Sequence, residues 1–222
     1  SRGNFYDPGD FVAAFGSDGA RYVALREVPF DRDAEVSWDG FVRRYNADLA
    51  NDFGNLVNRT VSMANRYLDG ERPAPGGMLA GVAREALATA AAKLDACLLH
   101  DALAALWGLV EHANRLVDAE KPWELAKAWK AGDDGAGERL RGVLGDLVEA
   151  CRLIALGAAP FLPVTAPRVL AQLGYAWAYG PDGNGGPPLD AELAWGAHAT
   201  EAGRLGPAEP LFPRLDTEVA AD

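Results

Sequence analysis

The chain has few cysteines (two), methionines (two), histidines (three) and lysines (four of its 21 basic residues). Cys97 and Cys151 lie far apart, outside any CxxC spacing and without a histidine cluster. This excludes a disulfide framework and a structural zinc site, and both thiols are expected to pack as small apolar side chains. No stretch approaches the roughly 20 uncharged apolar residues of a membrane span. The opening SRGNFYDPGD has neither the basic nor the apolar block of a signal peptide, so the expectation is a cytoplasmic protein with no membrane contact. GxSxG, HExxH, GxxxxGK[ST] and GxGxxG are all missing, and His100, His112 and His198 are scattered, so no familiar catalytic arrangement or metal site is visible. Basic residues are outnumbered by 32 acidic ones, for a net charge of −11, which argues against a non-specific grip on nucleic acid. A focused RNA site stays open because 17 of the 21 basic residues are arginines, whose planar forks suit bases and phosphates.

What is present is helical period. With 222 residues and 49% hydrophobic content the chain suffices for one large domain with appendages. Asp7 to Gly16 reads as a short capped helix and Ser17 to Glu27 as a second, stopped by Pro29. From Ser37 the helical period runs for about thirty residues to the stop at Asp69-Gly70. Val42, Tyr45, Leu49, Phe53, Leu56, Met63 and Tyr67 form its apolar stripe. Arg44, Asp48, Asn51, Asn55, Arg59, Ser62 and Arg66 form a polar one. Further helices are predicted over Met78 to Leu94, Leu98 to Ala119, Glu124 to Ala131 with Pro122 at its entry, Glu138 to Ala158, and Thr165 to Leu173. Beyond a Gly/Pro-rich loop at Pro181 to Pro188 little periodicity remains. The fold class is therefore mainly α, an antiparallel helix bundle preceded by a small N-terminal module without its own core.

On the polar stripe Asn55 and Arg59 stand one turn apart and project side by side. An amide beside a guanidinium supplies the donors and the acceptor needed to read the edge of an unpaired base. Trp123, placed just after Pro122 at a helix start, is the candidate stacking surface, whereas Trp107 falls in the middle of an apolar stripe. Composition alone favours reading the same residues as a solvated stripe and a core tryptophan.

Three stretches carry a family resemblance. They are Leu25-Arg26-Glu27-Val28-Pro29-Phe30, the run from Phe41 to Thr60, and Ala119-Glu120-Lys121-Pro122-Trp123-Glu124-Leu125-Ala126-Lys127. In order and spacing, from Ser1 to about Leu215, the chain resembles the methionyl-tRNA synthetases. Ser1-Arg2-Gly3-Asn4 is similar to the end of that family's KMSKS signature, with Ser1 as its last serine.

The resemblance implies a class I synthetase lacking here its Rossmann catalytic domain, HIGH motif, zinc-bearing insertion and KMSKS lysines. It divides the chain into a stem-contact module (1–37), a helical anticodon-binding domain (38–175) and a tail (176–222) expected to fold back toward the missing N-terminal catalytic domain. It assigns Asn55, Arg59 and Trp123 to recognition of the CAU anticodon of methionine tRNA; Arg44, Arg66 and Arg115 are candidates for contact with the RNA backbone or for helix packing. Ser1 is a remnant of the catalytic loop. ATP with Mg belongs to the full-length methionine-tRNA ligase, and none is expected on this fragment, which should be inactive alone. The parent is expected to be monomeric. The alternatives are the anticodon-binding domain of another class I synthetase and a helical bundle used for protein contact.

Overall fold

The computed structural model describes residues 7–27, 37–179 and 185–216. Ser1 and the rest of 1–6 lie outside them, as do 28–36, 180–184 and 217–222. The described residues form helices, with no strand beyond an isolated antiparallel bridge between Glu71 and Arg204. Helix α1 (Pro8–Glu27) bends at Gly16, whose φ of 69° is open to glycine and costly for other residues, so the two predicted short helices are joined at a kink. Its Phe15, Tyr22 and Val23 belong to the same core as the bundle.

The long first bundle helix has three parts. In α2 (Trp38–Arg44) Ser37 is the N-cap, its hydroxyl accepting from the Gly40 N–H at 3.1 Å. Tyr45–Gly54 is a π-helix, and α3 (Asn55–Tyr67) continues from it without a break. The sequence period predicts one uninterrupted α-helix here, and the wider i→i+5 turns are the main departure. Their effect is a change of phase that buries Asp48, which the α-helical period places on the polar stripe. The Asp48 carboxylate accepts from the Tyr22 hydroxyl at 2.7 Å and faces Arg26 at 3.7 Å and Arg44 at 3.6 Å. The Asp48 backbone carbonyl takes the Trp107 indole N–H at 3.1 Å.

A loop over Glu71–Leu79 leads to α4 (Ala80–Asp95), followed by α5 (Leu99–Glu120), α6 (Pro122–Lys130), α7 (Asp134–Ala158) and α8 (Thr165–Gln172). Predicted and observed spans agree to within a few residues at each end. Leu103, Leu106, Trp107, Val110 and Val117 of α5 are buried, as their spacing requires. Helix α7 is the central element, packed against α3, α4, α5, α6 and α8, and its residues from Val143 to Leu156 are buried on every side. Asp133 caps it by accepting from the Ala136 N–H at 3.0 Å. Cys151 is buried there, and burial pushes its thiol up to about 12. Cys97 departs from expectation: it is exposed in the turn between α4 and α5, with φ at 58°, because that turn needs a left-handed residue.

The loop before α4 crosses α7 at Gly145, where an added Cβ would stand 2.0 Å from the Ala74 carbonyl oxygen. One residue on, the buried Asp146 carboxylate accepts from the Gly77 N–H at 2.7 Å and the Met78 N–H at 2.6 Å. Gly145→Ala should therefore force loop and helix apart. The expected cost is about 1–3 kcal/mol, read as a lower urea midpoint with the helical signal retained.

The aperiodic tail is ordered by hydrogen bonds to the bundle. After the single turn α9 (Leu189–Glu192), Leu205 N–H donates to the Gly70 carbonyl at 2.9 Å. The Gln172 side chain bonds the backbone of Glu209 in both directions, and Asn46 does the same with Leu215 at 2.8 and 2.9 Å. The described tail thus returns along the bundle to the start of the π-helix, where Phe212 meets the Tyr45 ring. No described helix is long and apolar enough to cross a membrane.

Candidate nucleic-acid interface

Asn55 is the first residue of α3, released to solvent where the π-helix reverts to α. Arg59 follows one turn later, one-third exposed, with its Nη2 3.5 Å from the Asp118 carboxylate in the last turn of α5. That contact links α3 to the joint between α5 and α6. A second link lies beside it, where the Asn114 side-chain amide of α5 donates to the Asp52 carbonyl of the π-helix at 3.4 Å.

The joint itself is tight. Lys121 takes the left-handed conformation, φ 46°, which stops α5, and Pro122 fills the first position of α6, where its fixed φ and missing N–H cost nothing. The Lys121 carbonyl accepts from the Glu124 N–H at 2.8 Å. This turn throws Trp123 outward. It is 40% exposed, and alone among the described aromatic side chains it is neither buried nor half-buried. Trp107 behaves oppositely, buried against Tyr22 at 4.5 Å and Phe53 at 6.0 Å between ring centroids. The sequence distinction between the two tryptophans therefore corresponds to a real difference in availability.

The predicted arginines separate by location. Arg66 is exposed on α3, seven residues beyond Arg59, with its guanidinium 5.5 Å from the Tyr67 ring. Arg115 is exposed on α5, paired with Glu111 one turn before it, and lies three residues ahead of Asp118. Arg44 is elsewhere, at the start of the long helix. Its guanidinium bonds Glu27 at 2.7 Å as well as facing Asp48, and although partial burial works against its charge these carboxylates raise its pKa. Ser1 lies outside the described residues.

Sequence reading missed the acidic side of this surface. Asp118 faces Arg59 and Glu111 pairs with Arg115, while the Asp52 carboxyl is pushed up by burial and then by Asp48 and Glu111. The signal was available in the helical spacing of Glu111, Arg115 and Asp118 along one face of α5. Among the described residues no three His, Cys, Asp or Glu side chains are grouped to hold a metal ion.

An exposed indole, an amide, a guanidinium and flanking carboxylates form a polar surface with one aromatic platform. A nucleoside triphosphate with its magnesium ion needs a cradle of phosphate donors, and this donor set does not fit one.

Comparison with known proteins places this architecture. The family model for tRNA synthetases class I (M) matches residues 1–61. The methionine–tRNA ligase of Bacillus subtilis is 37% identical over 231 residues, spanning 98% of this chain and 32% of that protein. That of Caldanaerobacter subterraneus is also 37% identical, over 98% of this chain and 33% of its own length. The chain thus spans about a third of the length of these curated relatives. Among solved structures, Mycobacterium tuberculosis methionyl-tRNA synthetase bound by methionyl-adenylate superposes with a TM-score of 0.80 at 33% identity, over 96% of this chain and 41% of that one. Its apo form gives 0.79 at 32% identity. In sequence along nearly its whole length, and in the helical fold built from it, this chain belongs to the methionyl-tRNA synthetase family.

Proposed function

We propose that this chain is the RNA-reading part of a methionine-tRNA ligase and recognises the CAU anticodon of methionine tRNA through Asn55, Arg59 and Trp123. One observation carries the reading: the sole exposed described aromatic, Trp123, projects from the joint that the Arg59 to Asp118 contact holds against the start of α3. Anticodon bases are single-stranded and splay outward, so cytosine 34 stacks on the Trp123 indole. The Asn55 amide and the Arg59 guanidinium then face its polar edge. Cytosine offers one amino donor and two acceptors there, and the Asn55 carbonyl oxygen accepts while its NH2 and the Arg59 N–H groups donate. A wrong base leaves these groups unpaired, and discrimination comes from that penalty.

In this reading residues 1–37 are the stem-contact module, 38–175 the anticodon-binding domain and 176–222 the tail turned toward the catalytic domain. Arg66 and Arg115 lie on the RNA side, where each neutralised phosphate steepens the salt dependence. Arg44, engaged by Glu27 and Asp48, serves packing. The parent is a monomeric cytoplasmic enzyme that joins methionine to its tRNA with ATP and Mg, and this chain alone forms no adenylate.

The test is binding of the 222-residue chain to anticodon stem-loops carrying CAU or GAU, at low and moderate salt. CAU is expected to bind more tightly by about 5- to 150-fold, the equivalent of 1–3 kcal/mol for unpaired polar groups. Asn55→Ala and Arg59→Ala should each shrink that ratio. Equal binding of both loops overturns the CAU assignment, and no binding by a folded chain overturns it in favour of a bundle used for protein contact.

A further inference from the structure

The described tail carries a charged cluster that the anticodon reading does not use, where residues 189–201 lie over α7 and the end of α8. Both ring nitrogens of His198 contact carboxylates: Nε2 is 2.9 Å from Glu192 Oε2 and Nδ1 is 2.9 Å from Glu201 Oε1. Ionised carboxylates only accept hydrogen bonds, and a neutral imidazole has one N–H to give. Two such contacts at this length therefore require the doubly protonated, charged ring. We infer that His198 is a proton-dependent clasp, which in its charged form ties Glu192 of α9 to Glu201 of the following turn and so holds segment 189–201 on the bundle.

The surrounding groups explain why the ring acts as a latch. From α7, Arg152 faces Glu192 Oε2 at 3.8 Å and is joined to Glu149, which in turn accepts from the Gly196 N–H at 2.8 Å. From the loop before α4, Arg72 faces Glu201 Oε2 at 3.9 Å and donates to the Glu201 carbonyl at 3.1 Å. Tyr175, just beyond α8, lies 5.5 Å from the His198 ring, centroid to centroid. Each arginine thus anchors one carboxylate to the bundle, and His198 closes the gap between the two carboxylates. Arg152, Tyr175, Tyr179, Glu192, His198 and Glu201 are among the residues lining a cavity of about 260 Å³ beneath the segment. Opening the clasp widens its mouth.

The direction of the pH effect follows from the ring's environment. Partial burial works against its charge, but the hydrogen bonds to Glu192 and Glu201 outweigh this and raise His198 above the ordinary histidine value, while His198 holds the Glu201 carboxyl below the usual range. A raised folded-state pKa means that the contribution is complete below the unfolded value of about 6.5 and is lost as pH climbs through the folded value. One nitrogen then loses its proton, turns a lone pair toward a carboxylate, and the segment loosens.

The experiment is an NMR titration of the 222-residue chain, with the His198 signal assigned by its loss in His198→Gln. Amide exchange at Gly196 is followed in parallel. The His198 pKa should lie above about 6.5, and Gly196 protection, corrected for intrinsic base catalysis, should fall about tenfold per unit of elevation as pH rises through it. His198→Gln should flatten that fall while the global unfolding midpoint stays within a few degrees, and Glu201→Gln should bring the His198 pKa down. A His198 pKa at or below about 6.5, or equal pH dependence of Gly196 in His198→Gln, overturns the clasp.

Discussion

Replacing Arg152 by methionine is expected to destabilise the chain by about 3–5 kcal/mol, because it strands a carboxylate in the core. The Arg152 and Glu149 side chains are 1% and 2% exposed, and they meet in a two-pronged pair, Nε to Oε2 at 2.9 Å and Nη2 to Oε1 at 2.7 Å. Burial alone works against the guanidinium's charge, yet the hydrogen bonds and charge of Glu149 raise its pKa. Without the arginine, Glu149 keeps the Gly196 N–H at 2.8 Å but loses its counter-charge. For a chain of this size the loss corresponds to a melting temperature lower by roughly 6–20 °C.

Coupling distinguishes this account from a simple packing defect. Adding Glu149→Leu to Arg152→Met removes the stranded charge, and since a buried pair replaced by apolar groups is often neutral, most of the stability should return. The tail should not recover with it. Arg152 also donates to the Glu192 carbonyl at 2.7 Å and the Ala194 carbonyl at 3.2 Å, and no leucine or methionine replaces those bonds. Faster proteolysis between Leu189 and Glu201 in a thermally sound double variant is the expected signature. A single-variant loss below about 1 kcal/mol, as for a surface pair, would show that the pair is not buried.

How far the sequence reached depended on whether a position is governed by period or by partner. The bundle helices were legible because one face of each is apolar at helical spacing, and the starts at Ser37 and Pro122 because those residues occupy cap and first-turn positions with local chemistry; the start of α7 was not, since Asp133 reads as part of a polar turn and proves to be its cap. The π-helix was not. Tyr45, Leu49 and Phe53 satisfy a spacing of four in either helix type, so the change of phase is decided by what Asp48 and Trp107 find across the core. Position α7 in the middle of the bundle erased its polar face, and with it the warning that Glu149 and Arg152 are interior. The tail had no period to read, since side chains such as Gln172, Asn46, Arg72 and Arg152 hold it by its backbone. At the candidate site the division is the same. That Asn55 and Arg59 stand side by side and that Trp123 is available followed from spacing and from a proline, and their assignment to RNA reading came from the family resemblance, whereas Asp118 as the partner of Arg59 needed the fold that brings α3 against α5.

Trp123→Ala is the corresponding test of function, with an expected loss of about 1–3 kcal/mol in affinity for the CAU stem-loop, or roughly 5- to 150-fold. The value follows from stacking of one base on an indole that is already 40% exposed, so no core is disturbed by its removal. Three features separate loss of stacking from loss of fold. The thermal midpoint should hold, because the joint is fixed by Lys121 and Pro122 and not by the ring. The salt dependence should keep its slope, because no charge is removed and the number of displaced counterions is unchanged. Trp123→Phe should retain part of the affinity, since every aromatic face stacks. Arg66→Ala should do the converse, reducing the salt slope while preserving the CAU over GAU ratio. If Trp123→Ala instead binds as tightly as the unaltered chain, cytosine is not stacked on α6, and the base-reading surface must lie along α3 and α5 alone.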